Sequence, residues 1–503
     1  MNVAQHVERR ARQTPDQPAI RFEGTTLTYA TLDYCASALA DALRRHGVHH
    51  GDRVALYLPN IPAFALAYLA TLKVGAVAVS INSMFKLDEV RYIVHDSTPR
   101  VVFTTEDLLP NLPRPECPSI EHTVLCEGSE PDETALEHWL ELGSPSFRAE
   151  SMRPDDPAAL LYSSGTTGRP KGVTLTHDNI ASNIRMTAEL AGYRPDDRLA
   201  IFLPLFHVFA QNFIMNAGFE AGATLVLFRR FIPDTVLPAI AKERITKFFA
   251  VPTIYITLLD MDLRKVDLSS IGYYFSAAAT MPEDISRRWT ERFGQRVHEG
   301  YGLTECSPFA CYNHATRHKF GSVGTAVPGF ELKIFDEQDR EVPRGGWGEI
   351  VIRGPGVMKG YWNLPEETER TLRDGWLHSG DIGKMDDEGY VYLVDRVKDM
   401  INVSGFKVWP AEVEQVLYRH PAIREAAVYG VSDPLKGEKV RAAIVLKEGR
   451  SASAADLIGY CRDVLAVYKA PERVDIVAEL PKSATGKILK RVLREQAEKA
   501  ARG

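Results

Sequence analysis

Apolar positions recur at helical spacing through TLDYCASALADALRRHG, a Gly-Asp turn follows, and Val54 to Leu58 then reads as a strand. The next unit repeats that order, with a helix over Ala63 to Lys73 and a strand over Ala76 to Ser80. The stretches RVVFTT, DRLAIFLPL, ATLVLF, ITKFFAVP and YYFSAAAT continue the alternation. Parallel strands need a crossover connection, usually a helix, so the pattern predicts an α/β body with parallel-rich sheets covered by helices. From about Phe320 the texture changes to glycine-rich strands punctuated by turns, ELKIFDEQDREVPRGGWGEIVIRG and GYVYLVDR, which predict a β-rich subdomain of hairpins or a small barrel. After Asp395 the chain restarts with a polar bend, a helix at Ala411 to Arg419, strands near Ala426 to Val431 and Arg441 to Lys447, and a helix around Ala454 to Val467. The expected division is therefore a large N-terminal domain, residues 1–395, and a small α+β C-terminal domain, residues 396–503.

The length of 503 residues fits this division, because single cores stop growing near about 250–300 residues. With 45% hydrophobic and 25% charged residues, the composition is that of a globular chain able to bury a large core. A formal net charge of −6 argues against a protein whose main partner is nucleic acid. The six cysteines form no C-x-x-C pair and read as free thiols of a reducing compartment. The first residues, MNVAQHVERRARQTPDQ, carry arginines but no apolar run or cleavage site of a secretory signal, so a cytoplasmic location is expected. The apolar run from Ile61 to Ile81 contains Pro62, Lys73 and Gly75, and it is read as a buried helix and strand rather than a membrane span.

Chemistry concentrates first in YSSGTTGRPKG, Tyr162 to Gly172, which follows the apolar run Ala158 to Leu161. Glycines let backbone N–H groups turn toward one point, hydroxyls add donors and Lys171 adds charge, a combination suited to a polyphosphate. A flexible surface turn is the plain alternative. The spacing is not that of a Walker loop: two residues separate Gly165 from Gly168, and Lys171 comes three later.

This segment resembles the signature of the adenylate-forming superfamily, which includes acyl-CoA synthetases, luciferases and the adenylation domains of peptide synthetases. EGYGLTE (Glu299 to Glu305), LHSGDIG (Leu377 to Gly383), DRVKDMINVSGFKV (Asp395 to Val408) and PKSATGKILKR (Pro481 to Arg491) follow in the family's order. The texture is most similar to that of medium- and long-chain fatty acyl-CoA ligases. The resemblance implies two half-reactions: a carboxylate attacks the α-phosphorus of ATP and expels pyrophosphate, then the CoA thiol takes the acyl group and releases AMP. It also implies a C-terminal domain that swings between two poses, Mg²⁺ as the metal, and ATP, CoA and a small carboxylic acid as partners.

Carried over residue by residue, the resemblance assigns Ser163, Ser164, Gly165, Thr166, Thr167, Gly168 and Lys171 to the triphosphate. Tyr301 and Gly302 go to the nucleotide, with the Tyr301 ring against adenine, and Thr304 to the α-phosphate. Glu305 is the implied Mg²⁺ ligand, with Ser163 a second candidate for the ion. Ala277 and Ala278 flank adenine, although SAAA departs from the glycine-containing form of relatives. Asp381 and Arg396 are implied for the ribose, Lys398 for the hinge, Gly405 for the pantetheine tunnel and Lys487 for catalysis of adenylation. That lysine would bridge carboxylate and α-phosphate, offsetting anion repulsion. Its neighbours Lys482, Lys490 and Arg491 read as an ordinary basic helix end.

His207, in LPLFHVFA, stands where amino-acid-activating relatives place an aspartate; an imidazole lacks that fixed negative charge, so a free α-amino acid is disfavoured and a gating role is assigned to it instead. Val208, Phe209, Ala210 and Phe213, with Tyr255 and Phe309, suggest an apolar acyl pocket, and core packing accounts for the same residues almost as well. The expected acid is a medium- or long-chain fatty acid. An aryl or short-chain acid, or transfer to a carrier protein, stays open, as does a homodimeric assembly.

Overall fold

The computed structural model describes residues 1–128, 132–164, 170–396 and 399–502. The N-terminal body is built on two large sheets. In one, the strands Pro18–Phe22, Thr224–Leu227, Arg198–Ile201, Lys247–Ala250, Tyr273–Ser276 and Val297–Gly302 run parallel to their neighbours in that order. Antiparallel strands close both edges, Thr25–Thr28 on one side and Phe309–Asn313 with Thr325–Ala326 on the other. In the second sheet, Pro157–Ser164, Val77–Ser80, Arg53–Leu56, Val101–Thr104 and His122–Leu125 are parallel. Pro170–Thr176 folds back antiparallel on Pro157–Ser164, and Gly360–Tyr361 pairs beyond it.

The apolar run that raised the membrane question is the helix Pro62–Lys73 and the strand Val77–Ser80. Proline occupies the first helical turn, every residue from Ala63 to Lys73 is buried, and Gly75 takes φ +76° where the chain turns into the strand. A helix apolar on all sides belongs in a core, and this one packs on the helix Tyr29–Arg45. Its one charge, Lys73, is compensated: Nζ donates to Glu8 at 2.7 Å, to Asp33 at 2.7 Å and to Ser37 at 3.1 Å. None of the helices in the described residues is long and apolar enough to cross a membrane, and the six cysteines are unpaired.

The β-rich part is an antiparallel sheet of Glu331–Phe335, Trp347–Arg353, Trp376–Met385 and Val391–Arg396, with the short strand Leu372–Arg373 at its edge. The C-terminal domain is a five-stranded sheet around Ile423–Asp433 and Gly437–Leu446, with helices Pro410–Tyr418, Ala454–Val464 and Lys490–Arg502. It closes on the N-terminal body in this structure: the Glu283 N–H donates to Gln415 Oε1 at 3.2 Å, and Thr253 Oγ1 donates to the Gly486 carbonyl at 3.2 Å.

Candidate active site

The sequence motifs meet at the carboxyl ends of adjacent parallel strands, the position where open α/β sheets bind ligands. Tyr273–Ser276 delivers Ala277 and Ala278, and Val297–Gly302 delivers Tyr301 and the short helix Thr304–Cys306. Pro157–Ser164 and Pro170–Thr176 flank the glycine-rich segment and place Ser163 opposite Lys171. Residues 165–169, hence Gly165, Thr166, Thr167 and Gly168, lie outside the described residues, as does Lys398; the side chains of Ser164 and Arg396 do too.

Glu305 is the centre of one cluster. The residue is 9% exposed; Tyr361 donates its hydroxyl to Oε1 at 3.0 Å, and Ser163 Oγ lies within hydrogen-bond reach of the same oxygen at 3.4 Å. Among the described residues no lysine or arginine pairs with Glu305, and none of the His, Cys, Asp and Glu side chains gather in threes around a metal-sized space. Among the described residues this carboxylate meets only neutral hydroxyls, so its oxygen lone pairs are not committed to a resident cation. One hard oxygen ligand of this kind, completed by phosphates and water, suits Mg²⁺.

Asp381 anchors a second cluster. Tyr301 donates its hydroxyl to Asp381 Oδ2 at 2.8 Å, and burial together with the adjacent carboxylate holds the phenol well above its usual pKa, so it remains the donor. The backbone of Arg396 is opposite Asp381 in the antiparallel ladder. Gly302 could not be another residue here, because a Cβ would lie 1.5 Å from the Pro308 carbonyl oxygen. Thr304 is half-buried at the start of its helix. Ala278 takes φ +69°, the left-handed region that favours glycine.

Lys487 comes from the other domain. The turn Ser483 to Lys487 is closed by Ser483 N–H to Lys487 O and Gly486 N–H to Ser483 O, both 2.8 Å, and it rests on Val251 and Thr253. Lys487 is exposed there, and its charge reaches His207. The imidazole Nδ1 accepts the Phe209 N–H at 3.2 Å, which leaves the proton on Nε2. Burial and the Lys487 charge lower its pKa to about 4, so the ring is a neutral donor at physiological pH. Gly405, by contrast, is exposed at the tip of the hairpin Ile401–Val403 and Phe406–Val408, with φ +88° and open space where a Cβ would be. The structure does not bring it to the Glu305 and Asp381 clusters.

Two expectations change. The residues expected to line an acyl pocket are largely core: Phe213 stacks on Phe275 with centroids 4.5 Å apart and meets Phe309 edge-on at 4.9 Å. Tyr255 points away to Trp289, edge-on at 4.9 Å, and donates to the Phe275 carbonyl at 2.9 Å. Phe209–Asn216 is a π-helix, in which Gln211 and Asn212 are also buried. The basic residues around Lys487 are not one helix end either. Lys482 precedes the helix and pairs with the buried Glu425 at 2.8 Å, while Lys490 pairs with Glu414 at 3.0 Å.

Sequence reasoning missed Tyr361, Glu367 and the Val251–Thr253 docking point. Tyr361 lies in MKGYWNLPEET, a segment whose residue types advertise no chemistry. Only the pairing of Gly360–Tyr361 with Val173 and Thr174 carries it to Glu305.

Comparison with known proteins identifies the family. Residues 7–362 match the model of the AMP-binding enzyme family, and residues 412–487 that of the AMP-binding enzyme C-terminal domain. A long-chain-fatty-acid–CoA ligase of Bacillus subtilis is 37% identical over 97% of this chain and 93% of its own length. A feruloyl-CoA synthase of an Amycolatopsis species is also 37% identical, over 97% of both chains. Among solved structures, the anthranilate CoA ligase AuaEII in complex with anthranoyl-AMP superposes with a TM-score of 0.94 at 30% identity, covering 100% of this chain and 98% of that one. ATP-bound MatB from Rhodopseudomonas palustris gives 0.92 at 33% identity, covering 99% of each chain. The chain belongs to the AMP-binding enzymes of the adenylate-forming superfamily and is an AMP-forming acyl-CoA ligase that uses ATP and CoA.

Proposed function

We propose that the enzyme activates a medium- or long-chain fatty acid as its acyl-adenylate and transfers the acyl group to CoA. The observation that carries the adenylation step is the docking of the Ser483 to Lys487 turn on Val251 and Thr253, which places Lys487 near enough to His207 for its charge to act on the ring. In this reading, Lys171 and the segment 163–168 hold the triphosphate, and Tyr301, Ala277, Ala278, Asp381 and Arg396 hold the nucleoside. Thr304 faces the α-phosphate. Glu305 and Ser163 would hold Mg²⁺, which offsets phosphate charge when bound. The His207 Nε2–H donates to the acid's carboxylate, and Lys487 lowers the repulsion between that carboxylate and the α-phosphate as they approach. Because the attacking group is already an anion, neither residue needs to remove a proton.

Thioester formation requires a second pose. Residues 396–503 form the moving domain, Lys398 its hinge, and Gly405 the position that reaches the pantetheine arm once the domain has turned. The exposed place of Gly405 in the present pose supports this division of labour. The fatty-acid assignment is supported by the Bacillus subtilis relative. An aryl acid is the second reading, favoured by the feruloyl-CoA synthase and anthranilate CoA ligase relatives. Pyrophosphate release measured across fatty acids of increasing length and a series of aryl acids, with and without CoA, tests both. Release with aryl acids alone would overturn the fatty-acid assignment, and acid-independent release would overturn the adenylation step.

A further inference from the structure

Lys171 carries its charge into a contact that the adenylation chemistry does not use. Its side chain is 9% exposed; Nζ donates to Glu367 Oε1 and stands 5.1 Å from the centroid of the Tyr361 ring. The carboxylate is held at that place by backbone. Gly360–Tyr361 pairs with Val173 and Thr174, the Trp362 N–H donates to Gly172 O at 2.7 Å, and the Tyr361 N–H donates to Thr368 Oγ1 at 2.9 Å. The helix Pro365–Thr371, which carries Glu367, is thereby tied to the strand that carries Lys171. Glu367 also has a second cation in reach, since Arg370 Nη1 lies 3.8 Å from its other oxygen. Lys171 can therefore turn away without leaving that carboxylate unpaired.

We propose that Glu367 competes with the nucleotide's phosphates for Lys171, holding the ammonium when the site is empty and recovering it as pyrophosphate leaves. The inference rests on the reading of Lys171 as a phosphate-binding group. An ammonium is a compact point charge that can face one anion closely, so a polyphosphate at Lys171 must displace this carboxylate. Glu367 then weakens the hold on ATP and pyrophosphate alike, and it acts as a positioning residue through Lys171.

The test is Glu367→Gln, which keeps the shape and removes the charge. In acid-dependent exchange of pyrophosphate into ATP, the KM for ATP and the inhibition constant of pyrophosphate are expected to fall together by about three- to tenfold. The KM for the acid should stay unchanged, Glu367→Asp should restore most of the wild-type behaviour, and the shift should vanish in a Lys171→Met background. Should Glu367→Gln not accumulate as folded protein, Glu367→Ala serves in its place. A rise or no change in the two phosphate constants, or a shift that survives without Lys171, overturns the proposal. Calorimetric binding of pyrophosphate alone separates this from the parent reading. Tighter binding in Glu367→Gln, with no acid-dependent exchange in the wild type, would keep the competition and refute adenylation.

Discussion

Gly486 offers the sharpest test of how the two domains cooperate. Its φ is +80°, and a Cβ added there would lie 3.0 Å from Val251 Cγ2 and 3.1 Å from Thr253 Oγ1. In Gly486→Ala the left-handed conformation costs about 1–2 kcal/mol, but that strain is present in any pose that keeps the turn. What acts on docking alone is the crowding against Val251 and Thr253, together with the weakened Thr253 to Gly486 hydrogen bond, itself a contribution of about 0.5–1.5 kcal/mol. Displacing the turn by a few tenths of an ångström and losing that bond comes to about 1–3 kcal/mol against the docked pose, or roughly 5- to 150-fold in its population. Acid-dependent exchange of pyrophosphate into ATP should drop by that factor. Capture of a chemically prepared acyl-adenylate by CoA should fall much less, because it does not need Lys487 at the α-phosphate. Thr253→Val removes only the hydrogen bond and should cost about fivefold in the same exchange assay. An equal loss of both half-reactions in Gly486→Ala, or no loss of either, would refute the reasoning.

Lys487→Ala should lower adenylation by about 10²- to 10³-fold, the scale of removing one preorganised electrostatic contact, while CoA still consumes supplied adenylate; retained exchange would remove Lys487 from the reaction. Lys73→Met leaves Glu8 and Asp33 without their buried cation and should destabilise the N-terminal body by about 3–5 kcal/mol in urea unfolding followed by fluorescence. The folded Glu8 carboxyl lies below its ordinary 4.5, through hydrogen bonds and charge from Lys73 that outweigh its burial. Its contribution is therefore complete above that pH and is lost as pH falls through the folded value, so the gap between variant and wild type should narrow in acid. Ala278→Gly relieves an L-residue held at φ +69° and should raise the melting free energy by about 0.5–1 kcal/mol, the left-handed penalty less the extra chain entropy of glycine. A lower melting temperature would show that the position is not strained.

Much of the scaffold was written into periodicity. The run from Ile61 to Ile81 became the buried helix and strand it predicted because proline, an unbroken apolar run and a positive-φ glycine set its limits locally. Asp381, Glu305, Tyr301 and Lys487 were singled out by the family resemblance, because each lies in one of the motifs that carry it. Their partners were not. Tyr361 reaches Glu305 from 56 positions away, Glu367 is 196 positions from Lys171, and Thr253 is 233 positions from Gly486. Such contacts depend on strand pairing and domain docking, and local sequence carries no term for either. The aromatic residues after His207 show the same limit from the other side: sequence marked them as apolar, while the packing of Phe213 between Phe275 and Phe309, and of Tyr255 against Trp289, decided that they build the core. Hydrophobicity fixes that a side chain leaves water, and only the tertiary structure fixes what it meets there.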